Sequence, residues 1–144
     1  MSDLTTSAES FKNYLAEKKI DAFTVEELDD EQSTTVFRSY IVVAGQQLPT
    51  AVILDKSVFA LIRVQIAPQI LSDENRFSLL DFINEENLNY KPFKFYFNKN
   101  GTLLLDLCMP IEGRLSGDMI YLMFNVIINY LESGYKKIMQ KIWQ

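Results

Sequence analysis

Chemistry in this chain has few residues to work with. It contains no histidine and a single cysteine, Cys108. Without histidine there is no imidazole base near neutral pH, no Ser-His or Cys-His nucleophile pair, and little to hold a transition metal. Cys108 follows Leu105 and Leu107 and precedes Met109, a setting in which a thiol is expected to pack in a core. Gly113-Arg114-Leu115-Ser116-Gly117 puts a serine among glycines, but its spacing does not build the sharp turn of a nucleophile elbow. No glycine-rich loop leads into a lysine to cradle phosphate, and no dinucleotide fingerprint follows a strand. Four carboxylates, Asp81, Glu85, Asp106 and Glu112, remain as acid–base candidates if the fold makes them converge. Asp106 is the oddest of them. Strand alternation sets it with Leu104 and Cys108 on one face and Leu103, Leu105 and Leu107 on the other, so a semi-exposed sheet face accounts for it. The acidic stretch of Glu26, Glu27, Asp29, Asp30 and Glu31 around Leu28 lacks the alternating oxygen ligands and central glycine of a calcium loop, and reads as a solvated loop. These residues imply a protein that is not an enzyme and carries no cofactor and no metal.

The elements that would position any site fit in one domain, 1–144. With 48% hydrophobic and 23% charged residues the chain has the composition of a folded globule, and one cysteine excludes an intrachain disulfide. The net charge is -5, and Lys18-Lys19 and Lys136-Lys137 are the basic pairs, so nucleic acid is not an expected partner. Residues 1–7 are polar and lack the basic-then-apolar plan of a secretory signal. The apolar stretch 119–131, interrupted by Asn125 and Asn129, falls short of the roughly 20 residues that span a bilayer. A cytoplasmic location without membrane insertion is expected, and the glycosylation sequon Asn100-Gly101-Thr102 is set aside accordingly.

Hydrophobic periodicity predicts a helix over 6–19, with Phe11, Tyr14, Leu15 and Lys18 at helical spacing and Thr6 or Ser7 as cap. Strands are predicted over 36–43, 50–54 and 58–66. The last of these alternates cleanly: Val58, Ala60, Ile62, Val64 and Ile66 face one way, Phe59, Leu61, Arg63 and Gln65 the other. Short turns between them imply an antiparallel meander. Ser72, with Asp73 and Glu74 behind it, predicts the start of a second helix whose apolar stripe is Phe77, Leu80 and Ile83. Strands over 93–97 and 102–109 flank Asn98-Lys99-Asn100-Gly101, where Asn-Gly offers the positive φ angles of a tight hairpin.

A final helix begins near Ser116 or Asp118 and runs to about residue 141. Ile120, Phe124, Ile127, Leu131, Ile138 and Ile142 form one stripe on it; Met119, Leu122, Met123, Val126 and Tyr130 form a second. Over 119–131 this helix is apolar nearly all round, so its second stripe must be covered by the first two helices, by another copy or by a partner. Met119, Leu122, Met123, Val126 and Tyr130 are the expected protein-binding or dimer interface. Gly134 inside the helix predicts a bend or a close approach.

The expected fold class is thus α+β, an antiparallel sheet of about five strands with helices in the order α-β-β-β-α-β-β-α. This order resembles the type III secretion chaperone-like fold and, within it, the YbjN-like bacterial family. The residues that carry the likeness are 79–90 (Leu-Leu-Asp-Phe-Ile-Asn-Glu-Glu-Asn-Leu-Asn-Tyr), Phe93-Lys94-Phe95-Tyr96-Phe97-Asn98-Lys99-Asn100-Gly101, and Leu103-Leu104-Leu105. The resemblance implies a non-enzymatic role: a chaperone-like or regulatory adaptor that captures a protein segment, working as a homodimer. A small-ligand-binding sensory regulator with an apolar pocket is the alternative, and a carboxylate enzyme the third reading.

Overall fold

The computed structural model describes residues 6–144, so residues 1–5 of the polar N-terminal stretch lie outside the described residues. Thr6 caps the first helix, α1 (Ser7–Glu17): its hydroxyl accepts a hydrogen bond from the Glu9 N–H at 3.1 Å. The helix buries Phe11 and Leu15. Four strands follow, β1 (Thr24–Glu27), β2 (Thr35–Val43), β3 (Gln46–Leu54) and β4 (Phe59–Ala67). Then come α2 (Arg76–Asn89), β5 (Lys94–Phe97), β6 (Leu103–Pro110) and α3 (Gly117–Ile142). All strands join one antiparallel sheet in the order β1-β2-β3-β4-β6-β5. The meander and the α+β class are as expected, but the sheet has six strands and the element order gains a β.

The extra strand is β1, in the acidic stretch read as a loop. Its side chains are all exposed, so no apolar alternation announces it. Pairing with β2 and two ion pairs hold it instead: Arg38 to Glu26 and Lys12 to Glu27, each at 2.8 Å. Charged side chains of this kind are common on edge strands, where they discourage unwanted pairing. β3 begins earlier than expected and runs through Pro49. That residue falls just beyond the last β3–β4 pair, Thr50 with Val64, where β3 has one neighbour and a missing N–H is tolerated.

The Asn-Gly turn differs from expectation. The tight two-residue hairpin is Ala44-Gly45, both at positive φ (51° and 77°), joining the fully paired β2 and β3. The Asn-Gly loop is longer. There only Gly101 is at positive φ, the Gly101 N–H donates to the Asn98 carbonyl, and Asn98 Oδ1 accepts from the N–H groups of Asn100 and Thr102.

The helices lie on one face of the sheet. Phe37, Val52, Ile62 and Leu105 point inward from successive strands and are fully buried. Phe11 of α1 meets Phe37 edge-on at 4.9 Å, and Tyr130 of α3 packs against Phe93 and Phe95. Helix α3 buries Ile120, Phe124, Ile127, Leu131, Ile138 and Ile142, the first of its two stripes. At its start Gly117 lies directly under the Tyr14 ring, and the Tyr14 hydroxyl donates to Asp118 at 3.0 Å.

Helix α2 is rotated from its expected setting. It starts at Arg76, after Ser72, because Asn75 is engaged in the preceding loop: its Oδ1 accepts from the Ser72 N–H and its Nδ2 donates to the Ile70 carbonyl. The buried positions are Leu79, Ile83 and Glu86, whereas Phe77 is 90% exposed and Leu80 is also outside. At its C-terminal end Asn87 lies beside β5. The Asn87 amide accepts from the Phe95 N–H at 2.7 Å and donates to the Phe95 carbonyl at 3.0 Å, taking both backbone groups of an edge residue. No helix among the described residues is long and apolar enough to cross a membrane.

Candidate functional site

Because the helices share one face, the other face of the sheet is open, and registers fix what stands on it. One cross-strand row reads Val36, Ile53, Leu61 and Cys108 from β2 to β6, beginning at Glu26 on β1. The next reads Thr24, Arg38, Ala51, Arg63, Asp106 and Lys94. Beyond it stand Tyr40, Pro49, Gln65, Leu104 and Tyr96, the first two paired across β2 and β3 and the last across β6 and β5. A charged row thus lies between two rows rich in apolar side chains. Tyr40 and Val42 are 60% and 61% exposed, and Phe59 is also exposed.

Asp106 is the centre of the charged row. It is 5% exposed, far more enclosed than a semi-exposed face suggests. Its Oδ1 accepts from Arg63 Nε at 2.9 Å, and its Oδ2 accepts from Arg63 Nη2 and the Tyr96 hydroxyl, each at 3.0 Å. The two-pronged pair holds the Arg63 guanidinium above its usual pKa, and burial followed by the Asp106 charge pushes the Tyr96 phenol up. Cys108 is on this open face too and is exposed, which corrects its expected core position. The alternation that placed it beside Asp106 decides the matter, although its sequence neighbours are apolar.

Between Arg38 and Arg63 the small side chain of Ala51 leaves a depression of about 450 Å³, walled by Tyr40, Pro49, Gln65 and Leu104. Arg38 gives Nε and Nη2 to Glu26 Oε1, and Arg63 gives the same pair of nitrogens to Asp106. Nη1 of each guanidinium has no hydrogen-bond partner among the described residues. A second, larger groove of about 880 Å³ lies at the end of the sheet, between the start of α1, residues 27–35 and residues 54–58. Both are open grooves.

The carboxylate candidates do not converge. Asp81 and Glu85 are exposed on α2, Glu112 is exposed in the loop after β6, and Asp106 is on the far face of the sheet. Among the described residues no group of three or more histidine, cysteine, aspartate or glutamate side chains is placed to hold a metal ion. The second buried carboxylate is one the sequence did not single out, Glu86 on α2, 2% exposed. It accepts from the Tyr130 hydroxyl at 2.6 Å and from Lys137 Nζ at 2.8 Å. Burial, then the Glu86 hydrogen bond, drives the Tyr130 phenol far up, and the bond to Glu86 raises Lys137. Gly134 is explained here: a Cβ would stand 3.0 Å from Cζ of the Tyr130 ring, so the glycine marks a close approach.

The expected interface stripe divides. Met119 and Leu122 are 42% and 52% exposed, Met123 and Val126 are half-buried, and Tyr130 is in the interior. Tyr130 therefore leaves the stripe, because α2 and β5 close over it and Glu86 satisfies its hydroxyl. Phe77 and Leu88, exposed along α2, were missed as surface residues.

Compared with known proteins, the chain matches no protein-family model and no curated protein sequence.

Proposed function

We propose that this protein is a non-enzymatic binding module, a chaperone-like or regulatory adaptor of the secretion-chaperone type, that captures a segment of another protein and works as a homodimer. One observation carries the reading: a six-stranded sheet covered by helices on one face only, with Tyr40, Val42 and Phe59 standing out from the other. Tyr40 and Val42 stand side by side along β2, and adjacent exposed side chains of this size are the usual mark of an interaction surface. Open grooves favour an extended segment over an enclosed apolar small molecule. The helical layer presents Met119 and Leu122 on the first turns of α3, which gives the dimer a surface separate from the sheet.

The test uses two outward variants. Val42→Asp should stay folded and lose the proteins that the wild type retains from a lysate of its source. Leu122→Glu should keep them while light scattering shows a halved mass. Identical retention by Val42→Asp and wild type would remove the sheet face from the proposal. A wild type that is monomeric at all concentrations would remove the dimer.

A further inference from the structure

The open face also carries information about the chemistry of what it binds, on the reading that it captures a protein segment. Its charged row holds three cations, Arg38, Arg63 and Lys94, and one anion, Asp106, and Glu26 adds a second anion on the neighbouring row. The face is therefore slightly positive on a chain whose net charge is -5. The two arginines stand on β2 and β4 with Ala51 of β3 between them, two strand spacings or roughly 10 Å apart at the backbone. Each guanidinium keeps Nη1 without a partner among the described residues. The Ala51 depression lies between them. Arginine suits carboxylate recognition because its donors form a fixed planar fork.

We infer that this groove docks an acidic, extended segment of a partner protein, with a carboxylate side chain seated over Ala51 between Arg38 and Arg63. Apolar side chains flanking that carboxylate rest on the rows to either side, Ile53 and Leu61 on one and Tyr40 on the other. The neighbours of the arginines select this occupant over other anions. Asp106 stands in the arginine row and Glu26 in the row beside it, each paired with one arginine, so a phosphate backbone or an anionic lipid surface, with charge along its whole length, would meet two carboxylates as well as two arginines. A peptide can present one carboxylate at the right place and apolar groups elsewhere. Both arginines are already held by their ion pairs, Arg63 by two hydrogen bonds to Asp106 and Arg38 by two to Glu26. Little side-chain freedom is left to lose on binding, which favours capture by a pre-set pair.

The experiment is selection of a phage-displayed library of random dodecapeptides on the full chain, followed by affinity measurement of the selected peptides on wild type, Arg38→Glu and Ala51→Leu. Arg38 is exposed and Ala51 faces outward, so circular dichroism and thermal melting establish that both variants are folded. The expected result is enrichment of peptides with an acidic residue between apolar ones. Their binding should weaken about tenfold or more in Arg38→Glu, weaken in Ala51→Leu, and fall as salt is raised. Enrichment of peptides without acidic residues, or equal binding to wild type and both variants, would overturn the groove while leaving segment capture intact. Enrichment of no peptide at all would overturn segment capture and the groove together. Binding of anionic vesicles or of a DNA oligonucleotide, lost in Arg38→Glu without acidic peptides being selected, would replace the peptide with that partner.

Discussion

Gly117 is where α1 meets α3, and its replacement by alanine is the sharpest test of how the helices are seated. A Cβ at this position would be driven into the Tyr14 ring, onto Cγ, Cδ1 and Cδ2. The ring has no easy retreat. It stacks with Phe11 at 6.2 Å, approaches Tyr121 at 6.0 Å and is tethered through its hydroxyl to Asp118. Overpacking of this kind costs about 1–3 kcal/mol. Alanine's better helix propensity returns at most about 1 kcal/mol, and the net loss should be about 1–2 kcal/mol. With a urea slope of about 1–3 kcal/mol per molar, the unfolding midpoint of Gly117→Ala should fall by roughly 0.3–2 M. The decisive comparison is the same substitution in a Tyr14→Ala background. With the ring gone the new methyl has room, so Gly117→Ala should there be neutral or slightly stabilising, a coupling of about 1–3 kcal/mol. An equal cost in both backgrounds would refute the proposed ring-on-glycine contact.

Three further outcomes follow from other contacts. Ala44→Asn should raise stability by about 0.5–1 kcal/mol, read as a higher melting temperature, because Ala44 sits at φ 51° in a hairpin turn that asparagine tolerates better. Tyr130→Phe should lose about 1–3 kcal/mol at pH 7, since buried Glu86 forfeits its hydroxyl donor. The folded-state phenol titrates above its unfolded value of about 10, so its contribution is complete below pH 10 and fades as pH rises beyond it. Urea melts across pH 9–11 should therefore show a shallower alkaline loss in Tyr130→Phe than in wild type; an identical slope would contradict the pairing. Asp106→Asn should cost about 1–3 kcal/mol in urea melts by removing the charge that Arg63 grips, and a neutral outcome would show that the pair contributes no net stability.

Much of this architecture is written in short-range pattern. The alternation of Val58 to Ile66 places Arg63 and Leu61 outward and Ile62 and Val64 inward, as found. The long stripe from Ile120 to Ile142 is buried because its 3.6-residue period leaves one face for the sheet. What was not legible depends on partners distant in sequence. Strand β1 has no apolar face of its own and is held by its pairing with β2, with ion pairs to Arg38 and Lys12. The rotation of α2 turns on Glu86, a charged residue drawn inward by Tyr130 and Lys137, each more than forty positions away. A hydrophobic count assigns glutamate to solvent and so selects Phe77 and Leu80 instead. The candidate groove was hidden for the same reason: Arg38, Ala51 and Arg63 become neighbours only when three strands are in register. Asp106 was noticed as out of place on its strand, yet nothing in its own neighbourhood named Arg63 as its partner.

The Asn87 amide, which occupies both backbone groups of Phe95, makes the two rims of the sheet unequal. At the β5 rim those groups are already taken by the chain itself, whereas β1 at the opposite rim has no strand beyond it. A sheet with two receptive rims propagates, each added copy offering a fresh place for the next, and ends as a fibre. Here the backbone groups of Phe95 are occupied at one rim and exposed charge lines β1 at the other, so neither rim invites that growth.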